Sequence, residues 1–209
     1  MIRETLPVGL LGCNCTVLGD ETSREAIVVD PGYDIPRILA VLAKHQLMVR
    51  KIVITHAHID HIASALDLKR ITGAPILYHQ ADLPQLGIMD QQAGWLGVET
   101  PEVAPPDHAI RDEEIVNTGS IDAQVLHTPG HTEGSVCLYL PDEKLLLAGD
   151  TLFAGGIGRT DFPGGHTGTL LASLRERLMT LPDETLVVPG HGELTTIGEE
   201  RESNPFLTR

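Results

Sequence analysis

Thr55-His56-Ala57-His58-Ile59-Asp60-His61 packs three imidazoles and a carboxylate into six positions, directly after the apolar run Lys51-Ile52-Val53-Ile54. Neither core packing nor an ordinary solvent face produces that density. His56 and His58 are two apart, which is about 200° around a helix but the same side of an extended chain. They therefore cannot form the i, i+4 pair of an H-E-x-x-H helix, and the segment reads as a strand running out into a loop. Asp60 and His61 fall at or near the first turn of a helix expected over 62–71, and they point away from the first two histidines. One stretch can thus present two ligand sets to two neighbouring metal ions.

Working outward, the hydrophobic pattern predicts strands at 13–18, 26–29, 51–54, 74–79, 121–126, 135–140, 144–148 and 185–188. It predicts helices at 35–45, where Ile35, Ile38, Leu39 and Leu42 keep helical spacing, at 81–86 and at 169–180. Five of the apolar runs lead into a histidine or aspartate: Asp30, His56, His131, Asp150 and His191. Ligands in α/β proteins gather beyond the carboxyl ends of the strands, so this pattern brings distant residues to one edge. From 87 to 107 the pattern weakens into Gly, Pro and Gln around Trp95, the only tryptophan. That stretch either borders the site or is a plain connecting loop.

At 209 residues the chain is long enough to bury a substantial core, and we expect one domain over 1–209. A formal charge of −14 with no Lys/Arg cluster argues against nucleic acid or an anionic membrane as partner. Three cysteines form no disulfide framework and fit a reducing compartment, so the expected location is cytoplasmic. Cys13 and Cys15, without a second pair, do not complete a zinc site and read as part of a half-buried strand. No stretch approaches the roughly 18 apolar residues that cross a bilayer. The oligomeric state stays open.

Four motifs in order, His56-x-His58-x-Asp60-His61, Thr128-Pro129-Gly130-His131, Gly149-Asp150-Thr151 and Pro189-Gly190-His191-Gly192, resemble the metallo-β-lactamase superfamily. The resemblance implies an α/β fold, a four-layer αβ/βα sandwich with two mixed β-sheets and metals at one edge. It further implies that His56, His58 and His131 bind a first divalent ion and that Asp60, His61 and His191 bind a second. Asp150 would bridge both, and Asp60 and Asp150 would serve as the catalytic carboxylates. Asp30 matches a position that orients a ligand. Such a donor set suits two ions of Zn²⁺ foremost, or of Fe²⁺ or Mn²⁺. His45, His79, His108, His127 and His166 lack a comparable setting and are expected on the surface or in the core, with His127 near enough to support the site.

Asp150 stands where zinc-dependent β-lactamases generally carry cysteine, which argues against a lactamase. Segments 149–153, 158–165 and 195–207 resemble short bacterial glyoxalase II enzymes, the hydroxyacylglutathione hydrolases. What this implies is a metal-dependent hydrolase that splits a thioester such as S-D-lactoylglutathione into a hydroxy acid and a thiol, through a hydroxide bridging the ions. Longer glyoxalase II enzymes add a helical domain whose basic residues hold glutathione, and this chain stops about where that domain would begin. Two divalent ions, two carboxylates and a hydroxide leave the site near about +1, so an anionic substrate is admissible in an acidic chain. Arg159 is the candidate for a substrate-binding contact to a carboxylate, and Arg201 a lesser one. Two rivals remain. The Gly-Arg-Thr-Asp-Phe segment at 158–162 also resembles persulfide dioxygenases, whose single iron would sit on His56, His131 and Asp150; the other is a noncatalytic metal- or metabolite-binding protein.

Overall fold

The structure, a computed structural model, describes residues 1–208. Its first half alternates strands and helices: β1 (Ile2–Val8), β2 (Cys13–Gly19), β3 (Glu25–Val29), α1 (Ile35–Lys44), β4 (Met48–Val53), α2 (Ile59–Ile62), α3 (Ala65–Thr72), β5 (Ile76–Tyr78), α4 (Leu83–Leu86), α5 (Met89–Leu96) and β6 (His108–Ala109). These six strands make one sheet in sequence order, antiparallel from β1 to β3 and parallel from β3 to β6. The second half follows with β7 (Ile115–Thr118), β8 (Ile121–His127), β9 (Val136–Leu140), β10 (Leu145–Gly149), the small ribbon β11 (Leu152–Phe153) and β12 (Gly156–Ile157), α6 (Thr167–Ser173), β13 (Leu186–Pro189), β14 (Thr195–Thr196) and α7 (Ile197–Ser203). Its main sheet runs β14-β13-β10-β9-β8-β7, with β10 and β13 parallel and the other pairs antiparallel.

Central strands are buried on both faces, which is why they read as continuous apolar runs rather than alternating ones. Leu18, Ile27 and Val53 of the first sheet share one cluster with Val125, Leu138 and Leu147 of the second. On the outer face of the first sheet, Val28 and Ile52 pack with Ile38 of α1 and Leu68 of α3. On the outer face of the second, Leu146 and Val187 pack with Leu170 of α6 and Leu174 just after it. Four layers result, helix–sheet–sheet–helix, as the family resemblance implies. Far from the ligand stretch, Asp20 joins the two sheets by accepting from the backbone N–H and hydroxyl of Ser120 in the β7–β8 turn.

Four local readings of the sequence need correction. β1, β6, β7, β11, β12, β14 and α7 lie outside the expected elements; β1 is an edge strand, and an edge tolerates Pro7, which has no N–H to give. The helix expected over 62–71 starts earlier and is broken into α2 and α3. Ser64 N, which would bond to Asp60 O in a continuous helix, instead donates to Pro31 O at 3.1 Å. The stretch 87–107 holds the helix α5. Finally, the helix expected at 169–180 starts at Thr167 and passes into a π-helical turn at Leu174–Leu178.

Cys13, Cys15 and Cys137 are free and buried. Burial pushes the Cys13 thiol up to about 12 and the Cys137 thiol up to about 11. Since only the thiolate reacts, iodoacetamide should leave all three unmodified in the folded protein and label all three in denaturant. Mass spectrometry reads this directly; labelling of a cysteine in the folded chain contradicts the burial.

Candidate metal centre

The chain leaves β4 at Val53 and turns through Thr55 to His58, whose extended backbone starts α2. His131 comes from the turn after β8, Asp150 directly follows β10, and His191 lies two residues beyond β13. All are strand-end residues, and the sandwich brings them together. His131 Nε2 lies 3.1 Å from His56 Nε2 and 2.9 Å from His58 Nδ1. Beside this trio, His61 Nε2 and His191 Nε2 are 3.3 Å apart, and Asp60 Oδ2 is 3.1 Å from His191 Nε2. Asp150 lies between the two groups. Its Oδ1 is 3.4 Å from His61 and 3.7 Å from His191, while its Oδ2 is 3.6 Å from His131.

Four of the rings are held from behind. His61 Nδ1 bonds Asp30 Oδ2 at 2.9 Å, His131 Nδ1 bonds Arg159 O at 2.7 Å and His191 Nδ1 bonds Leu11 O at 3.1 Å. His56 Nδ1 meets the Thr55 hydroxyl at 3.2 Å. Each ring therefore turns its Nε2 toward the centre, the arrangement that outer hydrogen bonds give to metal-binding imidazoles. Asp30 itself is fixed by the Thr55 backbone N–H and hydroxyl, both at 2.7 Å. Asp30, His61 and Cys13 also lie within ligand distance of one another. Asp30 Oδ2 is engaged by His61 Nδ1 and the Thr55 hydroxyl, so within this trio Asp30 supports the His61 ring.

Electrostatics divides the cluster. Burial holds the imidazolium of His56 well below its usual range and His58 down to about 3, and the neighbouring histidines act in the same direction. These two rings are neutral and offer lone pairs. Burial acts the same way on His61 and His191, but adjacent groups, Asp60 and Asp150 among them, overcome it and raise both. Asp150, where burial opposes ionisation, is still held below the usual carboxylate range by His61, His131 and His191. Its Oδ1 is buried and accepts no hydrogen bond from the described residues. The neutral, convergent nitrogens of His56 and His58, the His61 and His191 rings drawn together beside carboxylates, and an orphaned carboxylate oxygen fit cations better than they fit each other.

The family model of the metallo-β-lactamase superfamily matches residues 8–191. The chain belongs to the metallo-β-lactamase superfamily. Among its relatives in that superfamily, a hydroxyacylglutathione hydrolase, GloC of Haemophilus influenzae, is 35% identical over 98% of this chain and 97% of its own. The probable metallo-hydrolase YqgX of Bacillus subtilis is 37% identical over 97% and 95%. Among solved structures, the BLEG-1 B3 metallo-β-lactamase superposes with a TM-score of 0.92 at 36% identity, covering 100% of both chains. TTHA1623 in a di-iron-bound form gives 0.87 at 36%, covering 99% of this chain and 100% of its own. ETHE1 from Myxococcus xanthus gives 0.83 at 31%, covering 100% and 86%. This metallo-β-lactamase superfamily chain is thus a metallo-hydrolase relative with a metal-binding His/Asp cluster.

Sequence reading missed two supports of this superfamily site. Asp82, buried just before α4, accepts from Ala57 N at 2.8 Å, Thr132 Oγ1 at 3.0 Å and Gly134 N at 2.6 Å. It ties the middle of His56-Ala57-His58 to the loop after His131. Burial raises the Asp82 carboxyl against those hydrogen bonds. Gln92 on α5 accepts from Ile59 N at 2.8 Å and so fixes the start of α2. Neither residue lies in a motif; only the polar residues in otherwise weak segments hinted at them.

A cleft of about 630 Å³ opens over the cluster, lined by His58, Asp60, His131, Asp150 and His191 at its floor. Its walls include Leu11, Trp95, Leu96, Phe153, Ile157 and Phe162. The 87–107 stretch therefore borders the site. Arg159 reaches the cleft, but its guanidinium is held by Asp161 at 3.0 and 2.7 Å and lies 4.2 Å over the Phe162 ring. Arg201 does not line it and instead donates to the carbonyls of Met179 and Leu181 at 2.8 Å. His127 stacks on His79, with ring centroids 4.2 Å apart, and bonds Glu133 O, away from the converging nitrogens.

Proposed function

We propose that this chain is a two-metal hydrolase of thioesters. The observation that carries the reading is the placement of Asp150, with one carboxylate oxygen toward His61 and His191 and the other toward His131. His56, His58 and His131 would hold one divalent ion, Asp60, His61 and His191 the other, and Asp150 both. Zinc is the foremost candidate, with iron or manganese compatible with the same donors. Divalent ions bound there lower the pKa of water toward about 7 and polarise a carbonyl oxygen.

The protein's own part is positioning. Asp30, Arg159 O and Leu11 O fix the rings of His61, His131 and His191, so the floor is built before substrate arrives. Asp60 and Asp150 would be the carboxylates at the reacting centre, available there as proton acceptors. A thiolate leaves readily, so no strong general acid is required, and the cleft walls place none over the floor. Likeness to GloC over nearly the whole of both chains supports a thioester such as S-D-lactoylglutathione as the first substrate to test. Three unpaired cysteines support a cytoplasmic location.

A second reading, a mononuclear iron dioxygenase acting on a persulfide, rests on the Gly158-Arg159-Thr160-Asp161-Phe162 segment at the cleft wall and on the trio His56, His131 and Asp150. One experiment separates the two. Metal content is measured on the purified protein, and the same sample is assayed for thioester hydrolysis and for oxygen uptake with glutathione persulfide. Two metals per chain with hydrolysis is the expected result. One iron per chain, oxygen uptake and no hydrolysis would replace the hydrolase with the dioxygenase.

A further inference from the structure

We infer that the cleft favours thioesters with uncharged, apolar arms, an aryl or branched alkyl group lying against Trp95 and Phe162, over glutathione conjugates, although a glutathione thioester is the first substrate that likeness to GloC suggests. The inference rests on the thioesterase reading and names its substrate class. Glutathione carries two carboxylates and an ammonium group. Any of these drawn into the cleft needs a partner, because an unpaired charge removed from water is costly.

The walls provide almost none. Arg159 is the one guanidinium or ammonium group among the described residues that line the cleft. Its Nε and Nη2 already meet both oxygens of Asp161, so the wall adds no net positive charge. Gln92, the neutral polar residue of the wall, uses its oxygen on Ile59 N and its nitrogen on Gln85 O. At long range, the formal charge of −14 repels anions.

What the walls do provide is apolar surface with one flat ledge. Trp95 stacks on Phe162 with centroids 5.5 Å apart and planes 16° apart, and Phe162 stands edge-on to His58 at 5.8 Å. The ledge thus leads from the mouth directly to the floor. Trp95 is 55% exposed, so one ring face is free to cover a ligand. Leu11, on the β1–β2 turn, is 49% exposed at the rim. Exposed aromatic and aliphatic groups gathered at a functional cleft mark a surface awaiting an apolar ligand.

Because Trp95 is the only tryptophan, its emission reports this cleft alone. The metal-loaded protein is titrated with the phenacyl thioethers of N-acetylcysteamine and of glutathione, uncleavable analogues that place one aryl group on a neutral and on an anionic thiol. The neutral thioether should half-saturate the Trp95 signal at a concentration lower by about tenfold or more. Equal or tighter binding of the glutathione thioether overturns the inference. By calorimetry, Phe162→Ala should weaken the neutral thioether by about tenfold with metal content unchanged; unaltered affinity overturns the ledge. The phenylacetyl thioesters of the same two thiols are then assayed for cleavage. Selective binding of the neutral thioether without cleavage of either thioester supports the ligand class and removes the hydrolase reading. Cleavage that favours the glutathione thioester does the reverse.

Discussion

Asp150→Asn should leave the chain folded, lower its metal content from two ions to one or fewer, and reduce thioester turnover by more than about 100-fold. Loss of an outer hydrogen bond to a ligand costs 10–100-fold in affinity or activity, so loss of a direct, shared ligand costs more than about 100-fold. Asparagine preserves the shape and removes the charge. In the native site that charge faces His131 with one oxygen and His61 and His191 with the other, so both proposed ions would feel its loss. The fold should survive, because Asp150 Oδ1 makes no hydrogen bond with the described residues that the amide could break. Elemental analysis after gel filtration, circular dichroism and the thioester assay read the three parts. A variant that keeps two ions and wild-type turnover removes Asp150 from the centre.

Gly32→Ala should be among the most destabilising single-methyl changes in this chain. A Cβ at Gly32 would sit 1.6 Å from Asp60 O and 2.6 Å from its carbonyl carbon, a contact with backbone that no rotamer change relieves. The 30–32 loop must then withdraw from α2, and the Ser64 N–H loses its acceptor at Pro31. Overpacking of this kind costs about 3 kcal/mol or more, which for a chain of this size lowers Tm by roughly 6–12 °C. The same withdrawal moves Asp30 off His61, so occupancy of the second ion should fall as well. A thermal scan with and without added zinc tests both. A Tm within about 2 °C of wild type would mean that the loop yields freely.

The candidate site was legible because its chemistry is written in strand-end residues. His131, Asp150 and His191 each follow an apolar run through a short turn, and the seven candidate ligands do converge. What was not legible came from contacts between distant segments. The break at Ala63–Ser64 carries no proline or glycine; it exists because Pro31 takes the Ser64 N–H. Asp82 sits in an unremarkable polar stretch, and only folding sets it against Ala57, Thr132 and Gly134. α5 contains Gly94 and has little apolar periodicity of its own; it is held to α2 through Gln92. β1 and the π-helical turn were likewise settled by neighbours rather than by propensity.

The strand orders carry one more consequence. β1, β2, β3 and β4 pair antiparallel, antiparallel and then parallel across a helix, and β8, β9, β10 and β13 repeat that path in the other sheet. The halves thus share one connectivity. Within it, Asp30 after β3 matches Asp150 after β10, and His56 after β4 matches His191 after β13. Carboxylates at corresponding places have thus parted roles: buried Asp30 steadies the His61 imidazole from behind, and Asp150 lies among His61, His131 and His191. The histidines of both halves meet in one cluster, so neither half alone carries a complete set of candidate donors for either proposed ion, and cations bound there would clasp the two halves together.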